Sequence, residues 1–195
     1  MLEFDLTFPH SYEVEEVGEW PGTGSFGVPV IYIPQPKNRA EHEGLWLRLK
    51  AKSGKTWIGI FAFGYTSPPA FSRVISSPDQ ECVCVVSNGG GYIVNVEKPE
   101  IWERIPTIPV LDVRSVPEQR LLVFADFIRL AAYGSKGLAW RGPRLCWDEL
   151  KITKITSETV EGTGYDPTNP GTETRFAVEL RTGRSLLPSP PSMPD

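Results

Sequence analysis

An all-β fold of antiparallel meanders is what this sequence predicts, and three observations predict it. Apolar residues alternate with polar ones at a period of two in run after run. Proline and glycine, 19 and 18 of 195 residues, are scattered between those runs rather than pooled in one block, the punctuation of short strands joined by turns. Only one stretch carries a helix-start signal, Pro99 at a first-turn position followed by EIWERI, long enough for two turns at most. Helix content should therefore lie below roughly 15%, against ~30–35% in an ordinary domain.

Taken in order, Leu2, Phe4, Leu6 and Phe8 share one face of a first strand, with Glu3, Asp5 and Thr7 on the other. Tyr12, Val14 and Glu16 continue the pattern past a Pro9–Ser11 turn, and a glycine-rich loop over 21–27 leads to the β-branched run Val28–Ile33. Residues 34–44 are polar and read as a solvent loop. LWLRLK (45–50), the turn KSGK and TWIGIFAFG (56–64) form a hairpin. The adjacent prolines 68 and 69 mark the expected boundary between an N-terminal β lobe, 1–66, and a C-terminal β lobe, 70–186, which could also merge into one sandwich. The second lobe reads strand, Ser-Pro-Asp turn, strand, Asn88-Gly89 turn, strand over 71–97. VLDVRSV, RLLVFAD, FIRLAAY and GLAW repeat that rhythm over 110–140, and KITKIT, TVEGTGY and RFAVELRTGR give a weaker third unit. Residues 187–195, LPSPPSMPD, are expected to be a disordered tail.

The string SPDQECVCVVSNGGGYIVNVEKP resembles one blade of a WD40- or PD40-type β-propeller, in which a Ser-Pro-Asp turn precedes a strand and a glycine turn precedes the next. The resemblance extends over 71–140 and thins over 150–184. It implies propeller-blade-like antiparallel meanders, with two and a half blades legible where a propeller has four or more of ~40–45 residues. Trp147-Asp148 is the one Trp-Asp pair, so that signature does not repeat.

Composition narrows the function. The chain is 40% hydrophobic and 23% charged with a net charge of −4, and its 20 basic residues form no stripe that would neutralise phosphates, so nucleic acid is not an expected partner. No apolar run approaches the roughly 20 residues of a membrane span, and the acidic, alternating N-terminus does not read as a signal peptide. Three cysteines, Cys82, Cys84 and Cys146, do not make an even set of pairs, and the cytoplasm is the expected compartment.

Several strings imitate catalytic motifs. Gly22-Thr23-Gly24-Ser25-Phe26-Gly27 is a literal G-x-G-x-x-G, but a dinucleotide site needs a helix after it to face the pyrophosphate, and here a strand pattern follows. The string also resembles a protein-kinase glycine-rich loop, yet Pro29 stands where that family carries Val, and Asp126-Phe127-Ile128 lacks the glycine of the metal-binding triplet. Ser53-Gly54-Lys55-Thr56 resembles the end of a P-loop, but Leu49 occupies the position of its first glycine and a strand follows. Cys82 and Cys84 lie on one strand face about 7 Å apart. With Cys146 and a histidine they are a conceivable zinc set, but the apolar flanks CVCVV favour buried, inert, metal-free thiols. His10 and His42, the two histidines, fall in loops, Glu15-Glu16 reads as a solvated face, and no G-x-S-x-G elbow occurs.

The most unusual string runs from Gly137 to Leu150. Trp140, Arg141, Arg144, Trp147 and Asp148 crowd around a Gly-Pro turn, a combination typical of interaction hot spots and sugar platforms. These five are the candidate ligand- or partner-binding residues. The simplest packing has Trp140 and Trp147 on the two arms of one hairpin, at least one indole buried, and Arg141 or Arg144 paired with Asp148. No catalytic, metal or cofactor residue is assigned. The first expectation is a non-catalytic binding or scaffold protein that holds another protein. The second is a carbohydrate or small-ligand module using exposed Trp20, Trp46, Trp102, Trp140 or Trp147, and the third a hydrolase with a dispersed acidic site.

Overall fold

A computed structural model describes residues 2–18, 25–36, 43–64, 71–168, 171 and 173–188. Among them the chain is all-β: sixteen strands, and a single 3-10 turn at Pro117–Gln119. The chain divides into two compact units, the first reaching Pro109 and the second beginning at Val110.

The first unit holds two sheets. One, in the order β2-β4-β5-β3, contains β2 (Glu13–Glu16), β3 (Val30–Ile33), β4 (Gly44–Lys50) and β5 (Thr56–Ala62). The other, in the order β1-β6-β7-β8-β9, contains β1 (Glu3–Asp5), β6 (Arg73–Ser76), β7 (Cys82–Ser87), β8 (Gly90–Asn95) and β9 (Trp102–Arg104). The expected hairpin is present as β4–β5, with Leu45 opposite Phe61 and Lys50 opposite Thr56. Asn88-Gly89 makes the tight β7–β8 turn, both residues at positive φ (43° and 79°), a conformation that an asparagine-glycine pair adopts readily. Two pairings depart from an antiparallel meander: β3 runs parallel to β5, and β1 parallel to β6.

Alternation decides what the two sheets bury. Leu47, Leu49, Trp57 and Phe61 from one, and Val74, Val83, Val85, Tyr92 and Val94 from the other, form a single cluster with Tyr12 and Ile33. Each fully buried aliphatic or aromatic side chain of this kind contributes roughly 1.5–3 kcal/mol. Buried polar groups bridge the sheets. The Trp57 indole donates to the Val96 carbonyl at 2.9 Å, the Tyr92 hydroxyl to Ala62 at 2.9 Å, and the Ser87 hydroxyl to Phe61 at 2.7 Å. Each leaves one fewer buried polar atom unpaired. On the open face, Glu13 pairs with Lys50 at 2.8 Å and Glu15 with Arg48 at 3.0 Å, each directly across from its partner.

The second unit repeats the plan. A four-stranded meander of β10 (Asp112–Val116), β11 (Leu121–Ala125), β12 (Leu130–Gly134) and β13 (Gly137–Arg141) shares a core with a three-stranded meander of β14 (Asp148–Ile155), β15 (Thr159–Tyr165) and β16 (Thr174–Glu179). Val116, Leu121, Val123 and Ala132 of the first meet Leu150, Val160, Phe176 and Val178 of the second in one cluster.

Three expectations need correction. The boundary at residues 66–70, which itself lies outside the described residues, gives way to one between Pro109 and Val110. The reason is the core: a lobe of 1–66 would leave Trp57 and Phe61 bare, and it is β6, β7 and β8 that cover them. The helix signal at Pro99 is overridden, because Trp102–Arg104 completes a sheet edge with Trp102 opposite Val94. Leu2–Phe8 is not one continuous strand either, since β1 covers only Glu3–Asp5. Phe4 and Leu6 are 42% and 38% exposed, because β1 is only a three-residue edge strand, whereas Phe8 is buried with its N–H on the Ser76 hydroxyl at 2.8 Å. The predicted tail 187–195 lies outside the described residues beyond Pro188.

Candidate functional site

The segment from β13 to β14 is where the second unit's two sheets meet, and its residues follow from that crossing. Trp140, next to last in β13, is buried, its Nε1 donating to the Leu180 carbonyl at 2.7 Å. Gly142 extends the ladder by one bond to Leu130, and Leu145 N–H then bonds to Ile128 at 2.8 Å as Leu145 and Cys146 turn into the core. Beyond them Trp147 N–H bonds to the Tyr165 carbonyl at 2.8 Å, and β14 begins.

Trp140 and Trp147 are therefore not the arms of one hairpin. β13 pairs with β12, β14 with β15, and the irregular segment 142–147 carries the chain from one sheet to the other. The buried indole expected here is Trp140. Trp147 is half-buried, and its Nε1 is enclosed with no hydrogen-bond partner among the described residues. The Arg144 guanidinium lies over the Trp147 ring, 4.2 Å from its centre, with Nε donating to the Cys146 carbonyl at 3.1 Å. The expected pairing of Arg141 or Arg144 with Asp148 is absent: Asp148 turns its Oδ1 to the Glu149 N–H at 2.7 Å. Glu149 takes positive φ (54°), so the carboxylate caps an irregular strand start rather than reaching an arginine. Arg144, stacked on an aromatic face, has no partner for its terminal nitrogens among the described residues, and Arg141 and Asp148 stand exposed on either side in sequence.

Just past this shelf lies a cleft of about 260 Å³ lined by Glu149, Lys151, Thr163, Tyr165 and Glu173. Lys151 faces Thr163 and Asp148 faces Tyr165 across the ladder, and Tyr165 is 44% exposed. Of these residues the sequence singled out Glu149 alone, as part of the Gly137–Leu150 string, although the alternation of Thr163 and Tyr165 in TVEGTGY was visible.

The other sequence candidates disperse. Trp57 and Trp140 are buried, Trp46, Trp102 and Trp147 are half-buried, and Trp20 lies outside the described residues, so no described indole is an exposed platform. His10 is half-buried with Nδ1 3.0 Å from the Phe8 carbonyl and its ring 5.0 Å from Tyr12, and His42 lies outside the described residues. Of the 22–27 loop only Ser25, Phe26 and Gly27 are described, and strand β3 follows. Gly54 and Lys55 sit in the β4–β5 turn, with strand β5 next. The three thiols are free. Burial pushes Cys84 well above the ordinary thiol range. It raises Cys82 to about 12, with Asp79 adding to the shift, and Cys146 to about 12. Cys82 and Cys84 belong to the first unit and Cys146 to the second. No group of three or more His, Cys, Asp or Glu is gathered for a metal among the described residues.

No protein-family model matches the chain, and no curated protein matches it in sequence. Among solved structures it is similar to a chain of an S. cerevisiae complex of Dbp5 bound to Nup159, Gle1, IP6 and ADP. The identity is 7%, with 94% of this chain and 68% of that one covered, at a TM-score of 0.32.

Proposed function

We propose that the protein is a non-catalytic binding module that holds another protein through the Arg144–Trp147 shelf. The observation carrying this reading is the stacked guanidinium: Arg144 lies 4.2 Å over Trp147 and its terminal nitrogens have no carboxylate partner among the described residues. Arginine and tryptophan are the residues that dominate protein–protein contacts, and a guanidinium pre-ordered on a ring loses less freedom when it is captured. Trp140, buried in the second unit's core, serves the fold, while exposed Arg141 and Asp148 supply a polar rim. The second unit's two sheets, antiparallel meanders with their strands in chain order, are in keeping with a blade-like scaffold carrying such a shelf.

The test is affinity capture from the source cells, read by quantitative mass spectrometry, with the full chain and with Arg144→Glu, Trp147→Ala and the surface control Arg184→Glu as baits. A protein retained by the parent and the control but lost from both shelf variants supports the reading, and direct titration of that partner should show at least a tenfold loss for Arg144→Glu. Identical capture by all four baits refutes it. A second reading, carbohydrate or small-ligand binding, draws on exposed Tyr165 beside Glu149 and Glu173. Glycan-array binding abolished by Tyr165→Ala would favour it.

A further inference from the structure

Asn88 and Gly89 close the β7–β8 hairpin, and their pairing carries a reactivity of its own. An asparagine side chain is lost when the backbone nitrogen of the next residue attacks its amide, a thermolabile step that proceeds fastest where that residue is small. Four asparagines occur in the chain, followed by Arg39, Gly89, Val96 and Pro170. Asn88 alone precedes a glycine. Val96 shields its nitrogen with a β-branched side chain, and Pro170 has no N–H to give up.

The fold holds this turn shut. Asn88 N–H donates to the Ser72 hydroxyl at 2.9 Å, and Gly89 N–H to the Phe71 carbonyl at 3.0 Å. The nitrogen that would attack therefore has its proton committed, and the peptide groups on both sides of Asn88 are tied to the chain just before β6. Bringing the Gly89 nitrogen to the Asn88 side chain means breaking those ties. The end of β5 closes the turn from another direction. Gly64 N–H donates to the Ser87 carbonyl at 3.0 Å, and the Ser87 hydroxyl to Phe61 at 2.7 Å. The Gly64 backbone lies so near that a Cβ on it would stand 2.8 Å from the Gly89 carbonyl carbon and closer still to Gly90. Gly89 and Gly90 are buried, so an added main-chain atom has no space here.

We propose that Asn88 is a self-modifying site, kept unreacted by the closed turn and converted when the turn opens, with a product that prevents reclosing. The Gly89 nitrogen bonds to Asn88 Cγ, the Cγ–Nδ2 bond breaks, and the amide nitrogen leaves as ammonia with the proton that Gly89 gives up. Water then opens the resulting succinimide at either carbonyl. One product is aspartate, which suits the same turn because Asp-Gly accepts its positive φ angles. The other is isoaspartate, whose main chain runs through the side-chain carbons and is one carbon longer. Gly64 leaves that carbon no room, and Ser87 and Gly90, paired on either side of the turn, would lose their register. A passing opening of the first unit thus becomes a permanent covalent change. Nothing in this site draws on the Arg144–Trp147 shelf, so either reading stands or falls alone.

The full chain is incubated in mildly alkaline buffer, native and in guanidinium chloride, then digested with pepsin in acid and read by peptide mass spectrometry. Electron-transfer fragmentation distinguishes isoaspartate from aspartate. Conversion of Asn88 should be at least about tenfold slower in the native chain, because only its open population reacts. Asn95 should stay intact in both. Ser72→Ala, which removes the acceptor for Asn88 N–H, should speed native conversion several-fold and leave the rate in denaturant unchanged. Once denaturant is removed, the aspartate product and the Asn88→Asp variant should refold by circular dichroism, and the separated isoaspartate product should not. Equal rates in native and denatured chains overturn the proposal, as does full refolding of the isoaspartate product. If Ser72→Ala does not fold, the two rates of the unaltered chain and the refolding of its products decide the matter.

Discussion

The indole N–H of Trp140 donates to the backbone carbonyl of Leu180 across 2.7 Å, linking the last strand of the four-stranded sheet to the turn that follows the last strand of the three-stranded sheet. The two residues are forty positions apart. Trp140 is thus a packing residue and a polar tie in one side chain, which makes it the most informative position for testing the second unit.

Trp140→Ala should cost about 3–5 kcal/mol, because it removes a buried ring and strands a carbonyl acceptor. Trp140→Phe retains much of the ring and loses the donor, so it should cost less than Trp140→Ala. Urea unfolding of both variants, followed by circular dichroism, checks the order and the size.

Gly183 is the floor on which that ring rests. It holds positive φ (73°), and a Cβ there would stand 2.5 Å from the Trp140 ring. Gly183→Ala should therefore destabilise by about 1–3 kcal/mol, combining overpacking with a left-handed backbone. Gly27 has a similar φ (68°) but open space around its missing side chain, so Gly27→Ala should show the backbone component alone and cost less. Paired melting curves separate the two contributions.

Arg144 and Trp147 should dissociate stability from binding. A half-exposed cation–π contact is worth about 0.5–1 kcal/mol, so Arg144→Ala should shift unfolding only slightly while abolishing partner capture. A loss of folded yield comparable to that of Trp140→Ala would instead make Arg144 a structural residue.

Alkaline pH should unfold the protein through its thiols. Burial raises Cys82 and Cys146 to about 12 from an ordinary value of 9.0, and Cys84 higher still. Because the folded-state values lie above the unfolded ones, this contribution is complete below about pH 9 and is lost as pH rises towards 12. Denaturation midpoints should fall across that window, and Cys84→Ala should flatten the fall. At neutral pH, iodoacetamide should label the native protein slowly, with half-buried Cys82 first, and label the urea-unfolded chain at all three positions.

How much of this was legible in the sequence differs from element to element. LWLRLK, TWIGIFAFG, CVCVVS and RLLVFAD declare their strands because a period of two is a local property, and Asn88-Gly89 declares its turn because few other pairs accept two positive φ angles. The burial of one indole near residue 140 followed from the same alternation. What alternation leaves open is which sheet covers which face. The division after Pro109, the strand at Trp102–Arg104 in place of a helical turn, and the exposure of Phe4 and Leu6 were all set by partners distant in the chain. The same holds for function: Arg144 meeting Trp147 rather than Asp148 is an outcome of where the second unit's two sheets cross. Local sequence determined the strands, since each needs only its own pattern of side chains. Tertiary structure decided the sites, since each is built from residues that only the packed core brings together.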